Sequence, residues 1–178
     1  MFDWWKNQRS QTITASEIYG AIVTRARNPA FYQVCGVSDT AEGRYELIVL
    51  TMALTLERLR QVPAASIDLQ RSVIEAFVTD MDDCMREMGV GDLTVPRKVK
   101  RAAAGLMERM DQYRSTLAAK DESLLVAALD TNIPGLSATA GGAAMLASSV
   151  RADARHLASL TDAAVLQGKL SFSDEPMT

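Results

Sequence analysis

The stretch 45–59 constrains the fold most, because it is apolar on nearly all sides when wound as an α-helix. A helix of that kind needs neighbours all round it. Its longest apolar run, 47–56, is ten residues long and has a glutamate on each side, whereas a bilayer crossing needs about 20 apolar residues. The sequence therefore predicts a central, mostly buried helix at about 42–60, inside a globular bundle.

Apolar residues recur at helical spacing on both sides of this segment, and turn residues separate the helices. The first helix starts at Thr14, which forms a capping-box pattern with Glu17. A short helical turn follows at about 31–34, and no strand-like alternation or internal repeat divides the chain. The longer predicted helices lie at about 14–27, 42–60, 66–88, 96–117, 121–130 and 138–165, the last rich in alanine.

These patterns predict an all-α, single-domain bundle of about six helices. The domain covers residues 14–170, between a flexible segment at 1–13 and a loose tail at 171–178. The chain has 178 residues, of which 48% are hydrophobic and 23% charged, a composition typical of folded globular domains.

Charge and cysteine content exclude several classes of protein. A net charge of −3 gives no overall attraction to nucleic acid. Cys35 and Cys84 show neither metal-ligand nor redox-motif spacing, which favours a reducing compartment. The first residues resemble no secretory signal. We expect a cytoplasmic protein, with a peripheral position at the inner face of the membrane as the alternative.

Catalytic motifs are missing from the sequence. His156 is the only histidine, and neither a glycine-rich nucleotide motif nor a metalloprotease motif occurs. Asp80, Asp83 and Glu87 share one face of a predicted helix, but they lack the histidine partners of helical-bundle metal sites. We predict a solvated acidic face, and no catalytic residue, metal or cofactor.

Charge is distributed unevenly along the chain. Residues 66–95 contain seven acids and two arginines, whereas residues 97–120 contain seven basic residues and two acids. Four of these cations crowd the first turns of the helix that starts at Pro96, where they oppose the helix dipole. They contact a partner, or they neutralise the neighbouring acidic helix. The four cations are Arg97, Lys98, Lys100 and Arg101.

Aromatic residues at the amino terminus form a second unusual feature. Phe2, Trp4 and Trp5 lie close to Lys6 and Arg9, a combination that suits a membrane interface. Docking of these aromatic side chains on the protein's own core is the alternative.

Two stretches of the sequence carry a resemblance to a known family. The first contains Tyr19–Arg27, a Pro-x-Phe-Tyr motif at 29–32 and Gly36–Leu47; the second contains Asp80–Asp82, Arg86–Leu93 and Val95–Lys100. In order and spacing they are similar to the ubiquinol–cytochrome c chaperone family, and the chain resembles a bacterial member. The resemblance covers about residues 15–132 and leaves the alanine-rich segment outside.

The resemblance implies a non-enzymatic assembly factor for the respiratory ubiquinol–cytochrome c oxidoreductase. Its partner would be newly made cytochrome b or another membrane-protein client, with a second assembly factor, the ribosome and transient membrane-surface contact as further partners. The family's signature positions correspond to 39–44 and 89–100, with a structural turn at Gly89, Gly91 and Pro96. The candidate partner-binding residues are Asp39, Glu42, Arg44, Asp92, Arg97, Lys98, Lys100 and Arg101.

Two other functions stay open at this point. The first is a small helical enzyme, or a bundle that binds a lipid or isoprenoid in an inter-helix pocket with a carboxylate such as Glu46 inside it. The second is a membrane-peripheral adaptor that uses Phe2, Trp4 and Trp5.

Overall fold

The computed structural model describes residues 2–63, 67–87, 89 and 94–175. Within these ranges the protein is all-α, as predicted, with no strand. The elements in chain order are α1 (Phe2–Ala26), α2 (Pro29–Gln33), α3 (Ala41–Arg60), α4 (Ile67–Glu87), α5 (Val95–Ala118), α6 (Ser123–Asn132), a 3-10 turn (Leu136–Ala138), α7 (Gly142–Ser159) and α8 (Asp162–Leu166).

The predicted central helix is α3, and its burial confirms the interpretation of the apolar run. Thr40 caps it by accepting a hydrogen bond from the Gly43 N–H at 3.1 Å. α1, α4, α5 and α7 pack around it. Its buried hydroxyls at Thr51 and Thr55 donate to carbonyls four residues earlier, so that neither is left without a partner in the core.

Three of the long helices run in the same direction. Near the starts of α3 and α5, the Tyr45 hydroxyl donates to the Ala102 carbonyl at 3.1 Å; near their ends, Leu54 and Leu117 line one cleft. Arg58 Nε, near the end of α3, donates to the Leu157 carbonyl near the end of α7 at 2.9 Å. α3, α5 and α7 are therefore parallel.

α1 and α4 run the opposite way. Arg25, at the end of α1, contacts Ser149 in the first half of α7, whereas Glu17 lies beside Gly168, beyond the end of α8. α4 connects α3 to α5 along the chain, and because those two helices are parallel, α4 runs antiparallel to both. One end of the bundle, which we name the signature end, consequently consists of residues 27–44, Gly89, 94–101 and 133–142.

The amino-terminal prediction needs correction. α1 begins at Phe2, not at Thr14, and residues 2–13 are continuous with it. No glycine or proline occurs between residues 2 and 13, so nothing there stops the helix from extending past the capping pattern.

The carboxyl-terminal prediction also needs correction. The segment at 138–165 is not one helix, because the backbone becomes extended at Leu160 and Thr161 before Thr161 caps α8. The described part of the predicted loose tail packs against the bundle: Phe172 lies against the core, and the buried Ser173 N–H donates to Asp153 at 2.9 Å. Residues 176–178 lie outside the described residues.

Candidate functional site

The signature end brings together the two stretches that carry the family resemblance. Because α3 and α5 are parallel and touch through Tyr45 and Ala102, the turn at 39–44 lies beside the first turns of α5. Fifty-seven residues separate the two partners of this hydrogen bond along the chain. The candidate partner-binding residues that the structure describes thus belong to one end of the molecule.

Glycines hold the loops of the signature end close together. Gly36 and Gly135 have φ angles of +82° and +97°, which favour glycine. The Ser38 N–H donates to the Pro134 carbonyl at 2.8 Å, which ties the loop before α3 to the loop after α6. A Cβ atom at Gly135 would lie 2.5 Å from the Gly36 carbonyl oxygen, so the backbones approach too closely for any side chain.

An exposed ion pair lies at the start of α3. Arg44 Nε donates to Asp39 Oδ1 at 2.7 Å, and this bond holds the pKa of the Asp39 carboxyl below its usual value. Glu42 is exposed in the first turn of the same helix. The pair fixes the orientation of two candidate binding residues, although an exposed pair contributes little to stability.

The basic first turns of α5 face solvent. All four cations are exposed, and within the part of the chain that the structure describes none has a carboxylate within 4.0 Å. On α4, Asp82 pairs with Arg86 at 2.7 Å, and Asp80 accepts a hydrogen bond from Tyr19 at 2.7 Å. Among these residues, the four cations therefore form no direct ion pair with the acids of α4.

The predicted turn between α4 and α5 is described only in part. Gly89 adopts a φ of +75°, and its N–H closes α4 by donating to the Arg86 carbonyl at 2.9 Å. Pro96 lies in the first turn of α5. Gly91 and Asp92 lie outside the described residues.

The aromatic amino terminus belongs to the other end of the bundle. Phe2, Trp4 and Trp5 are in the first turns of α1, which runs antiparallel to α3. Their side chains are not among those that the structure describes. The two candidate contact surfaces are thus at opposite ends of the molecule.

One buried polar network was not foreseen from the sequence. Arg25 Nε donates to Asp153 Oδ2 at 2.9 Å, Arg25 Nη2 donates to Ser149, and the guanidinium lies 4.9 Å from the centre of the Phe31 ring. Burial raises the pKa of Asp153, while Arg25 and the Ser173 N–H act in the opposite direction. The partners are 128 residues apart, and no local pattern signals such a pairing.

A second network closes the end of the bundle opposite the signature end. Arg58, buried on α3, donates to the carbonyls of Leu157 and Leu160 and to the carboxylate of Asp162 at 2.7 Å. It satisfies carbonyl groups at the end of α7 and anchors α8. Both networks join α7 or α8 to earlier helices, which gives them a structural role.

The pocket expected for an enzyme or a lipid carrier is not assembled around Glu46. A cleft of about 240 Å³ lies between α3, α5 and α7, away from the signature end, with Tyr113, Leu117 and Leu157 in its wall. Glu46 does not line it; its carboxylate pairs with Arg109 at 3.4 Å, and burial raises its pKa.

The described residues hold no cluster of three metal-ligating side chains. Across the same ranges, no helix combines the length and apolar character that a membrane crossing requires. His156 Nε2 lies 2.8 Å from the Ser171 hydroxyl oxygen, in an exposed contact between α7 and the segment after α8.

The fold and its surface define a class of protein. It is an all-α bundle around a central apolar helix, with one charged end where glycines allow the loops to lie close together. The chain belongs to the ubiquinol-cytochrome C chaperone family, whose model matches residues 33–172. The matched range begins at residue 33, later than the resemblance at about 15–132, and it continues past residue 132 through α7.

A solved structure supports the same assignment. The crystal structure of the Cbp3 homolog from Brucella abortus superposes with a TM-score of 0.82 at 30% sequence identity, covering 98% of this chain and 97% of the other. A search of curated protein sequences found no match.

Proposed function

We propose that this protein is a non-enzymatic assembly factor for the respiratory ubiquinol–cytochrome c oxidoreductase and binds newly made cytochrome b. The observation that carries the proposal is the meeting of the two signature stretches at one end of a chaperone-family bundle. The contact residues would be Asp39, Glu42 and Arg44, at and just before the start of α3, together with Asp92. The protein would work in the cytoplasm, at the inner face of the membrane.

The construction of the signature end suits a binding surface. Its loops are tied by the bond between Ser38 and Pro134 and by glycines that allow close backbone approach. A surface that is already ordered loses little conformational freedom when a partner binds, which favours affinity. Exposed charges around it would steer the encounter with a partner of opposite charge.

The alternative of a small enzyme or lipid-binding bundle has less support. Ligand pockets usually enclose about 300–1,000 Å³ and contain a few convergent polar groups. The described cleft measures about 240 Å³, and the charged residues that line it are Glu57, Arg58 and Arg114, not the buried Glu46. The observations therefore favour the chaperone.

Mild crosslinking in respiring cells, followed by capture of the tagged protein and mass spectrometry, tests the proposal. We expect enrichment of cytochrome b or of other assembly factors for the same complex, relative to a tagged unrelated helical bundle of similar size. The ribosome and a second assembly factor would appear in the same experiment. A capture without any component of this complex would contradict the proposed function.

A further inference from the structure

Four neighbouring cations on α5 form a patch that has no partner within the described molecule. Arg97, Lys98, Lys100 and Arg101 are all exposed, and none has a carboxylate within 4.0 Å among the described residues. At helical spacing this surface continues to the exposed Ala104. We name the four cations the α5 basic patch.

The charge of this patch is unsuited to the loops of a membrane-protein client. Cytoplasmic loops of membrane proteins carry an excess of lysine and arginine, and like charges facing each other at an interface disfavour binding. Anionic lipid headgroups on the same side of the membrane attract clustered cations instead. Resting on the proposed function, we propose that the α5 basic patch docks the protein on an anionic bilayer surface, beside the client and not on it.

The distribution of charge along α5 supports docking through this end. Glu108 and Asp111 are the next charged residues on the exposed side of α5. At a rise of about 1.5 Å per residue, Glu108 is about 12 Å along the axis from Lys100, which exceeds the screening length of about 8–10 Å at moderate ionic strength. A bilayer at the signature end would therefore interact with the cations much more strongly than with these acids.

Other charges at the signature end reduce the positive field only in part. Arg44 and Asp39 neutralise each other as an ion pair. Glu42 is an exposed carboxylate there, Asp83 and Glu87 are exposed carboxylates in the last turns of α4, and Arg27 at the end of α1 is an exposed cation. Among the described residues the cations of this end still outnumber its carboxylates, and the patch supplies most of them.

The fold also predicts how the protein would stand on the membrane. α1 runs antiparallel to α5, so its start lies at the end away from the patch. A helix of 20 residues such as α3 is about 30 Å long. With the signature end on the bilayer, Phe2, Trp4 and Trp5 would be remote from it, and the glycine-locked loops would face the client.

Cosedimentation of the full chain with vesicles tests the proposal. We expect binding to vesicles that contain phosphatidylglycerol, no binding to pure phosphatidylcholine, and release at high salt. The double variant Lys98→Glu, Lys100→Glu should bind about tenfold or more weakly. Its thermal midpoint should equal or exceed that of the wild type, since the change removes cations from a helix start.

A matched control separates the patch from the overall charge. The double variant Lys120→Glu, Lys169→Glu changes two exposed lysines away from the signature end and has the same net charge. It should bind as the wild type does. Equal weakening in both variants, or no binding of the wild type to anionic vesicles, would overturn the proposal. Loss of binding in Trp4→Ala, Trp5→Ala would assign the contact to the amino terminus instead.

Capture of cytochrome b solubilised in neutral detergent distinguishes this proposal from the proposed function. Without an anionic bilayer, the Lys98→Glu, Lys100→Glu variant should capture it as the wild type does. Reduced capture would mean that the patch contacts the client, and it would overturn the lipid assignment. Failure of the wild type to capture it while vesicle binding persists would count against the proposed function alone.

Discussion

At the scale of single residues, Gly135 is a position where both the backbone angle and the neighbouring backbone exclude a side chain. Its φ is +97°, and a Cβ there would lie 2.5 Å from the Gly36 carbonyl oxygen and 2.7 Å from the Ser38 nitrogen. We expect Gly135→Ala to lower the free energy of unfolding by about 2–4 kcal/mol, through backbone strain and a disrupted loop contact. Chemical denaturation measures the loss.

Gly20 provides the control for this substitution. It lies in the middle of α1, and a Cβ there would meet nothing within 4 Å. Because alanine is the better helix former, Gly20→Ala should leave stability unchanged or raise it by up to about 1 kcal/mol. Equal effects of the two substitutions would show that the loops of the signature end are not locked.

Glu46 gives a prediction about pH. Burial raises its pKa above the ordinary 4.5, against the opposing effect of Arg109. The folded state therefore holds this proton more tightly than the unfolded chain does, and the protein loses stability as the pH rises from about 4.5 through the raised pKa. Glu46→Gln cannot ionise, so its stability relative to the wild type should increase across that window.

Thermal midpoints of wild type and Glu46→Gln, measured from acid to neutral pH, check this sign. Glu108→Gln serves as the control, because it removes an exposed carboxylate from α5, the helix that carries Arg109. The amount by which the thermal midpoint of Glu46→Gln exceeds that of the wild type should grow with pH and then level off. A difference that falls as the pH rises would mean that the ion pair with Arg109 outweighs the cost of burial.

At the scale of elements, the segment that follows α8, residues 167–175, lies across α1 and α7. We name it the strap. Gly168 turns beside Glu17, Leu170 and Phe172 pack against the core, and the Ser173 N–H satisfies the buried Asp153. Truncation after Gly168 should cost about 2 kcal/mol or more, because it exposes apolar surface and removes a hydrogen bond to a buried carboxylate.

Truncation after Glu175 is the matched control for the strap. It keeps every contact described above and removes residues 176–178 alone. We expect the chain truncated after Glu175 to have the same denaturation midpoint as the full chain. The chain truncated after Gly168 should have a clearly lower midpoint. Equal midpoints for all three chains would show that the strap contributes nothing to stability.

Elements that depend on local patterns could be predicted from the sequence, and those that depend on distant contacts could not. The central helix α3 follows from its apolar run and its Thr40 cap. The break between α7 and α8 was missed because the helical spacing of the alanine-rich segment outweighed its one local signal, the Thr161 cap before Asp162. Arg58 binds the carbonyls exposed at this break. The longer α1 was missed because a capping pattern does not prevent a helix from extending beyond it.

The candidate site shows the same division. The signature stretches and the cations are visible in the sequence, and so is their family. That 39–44 and 94–101 meet depends on α3 and α5 being parallel, which local spacing cannot reveal. The Arg25–Asp153 pair, whose partners are 128 residues apart, is likewise a property of the fold.

At the scale of the whole molecule, apolar packing is the main source of stability among the described residues. One continuous core extends from Ala15 to Val165 and includes residues of most helices. The described residues offer no cluster of three metal-ligating side chains. Stability should therefore depend on burial and on the two arginine networks, without a structural ion.

Removal of metal ions tests this directly. Dialysis against a strong chelator should leave the thermal midpoint and the far-ultraviolet spectrum unchanged, because a structural metal contributes folding free energy and its loss lowers the midpoint. A sample dialysed without chelator controls for handling, and re-addition of single divalent ions follows. A loss of several degrees that one particular metal restores would contradict the prediction and show that the fold contains a structural metal site.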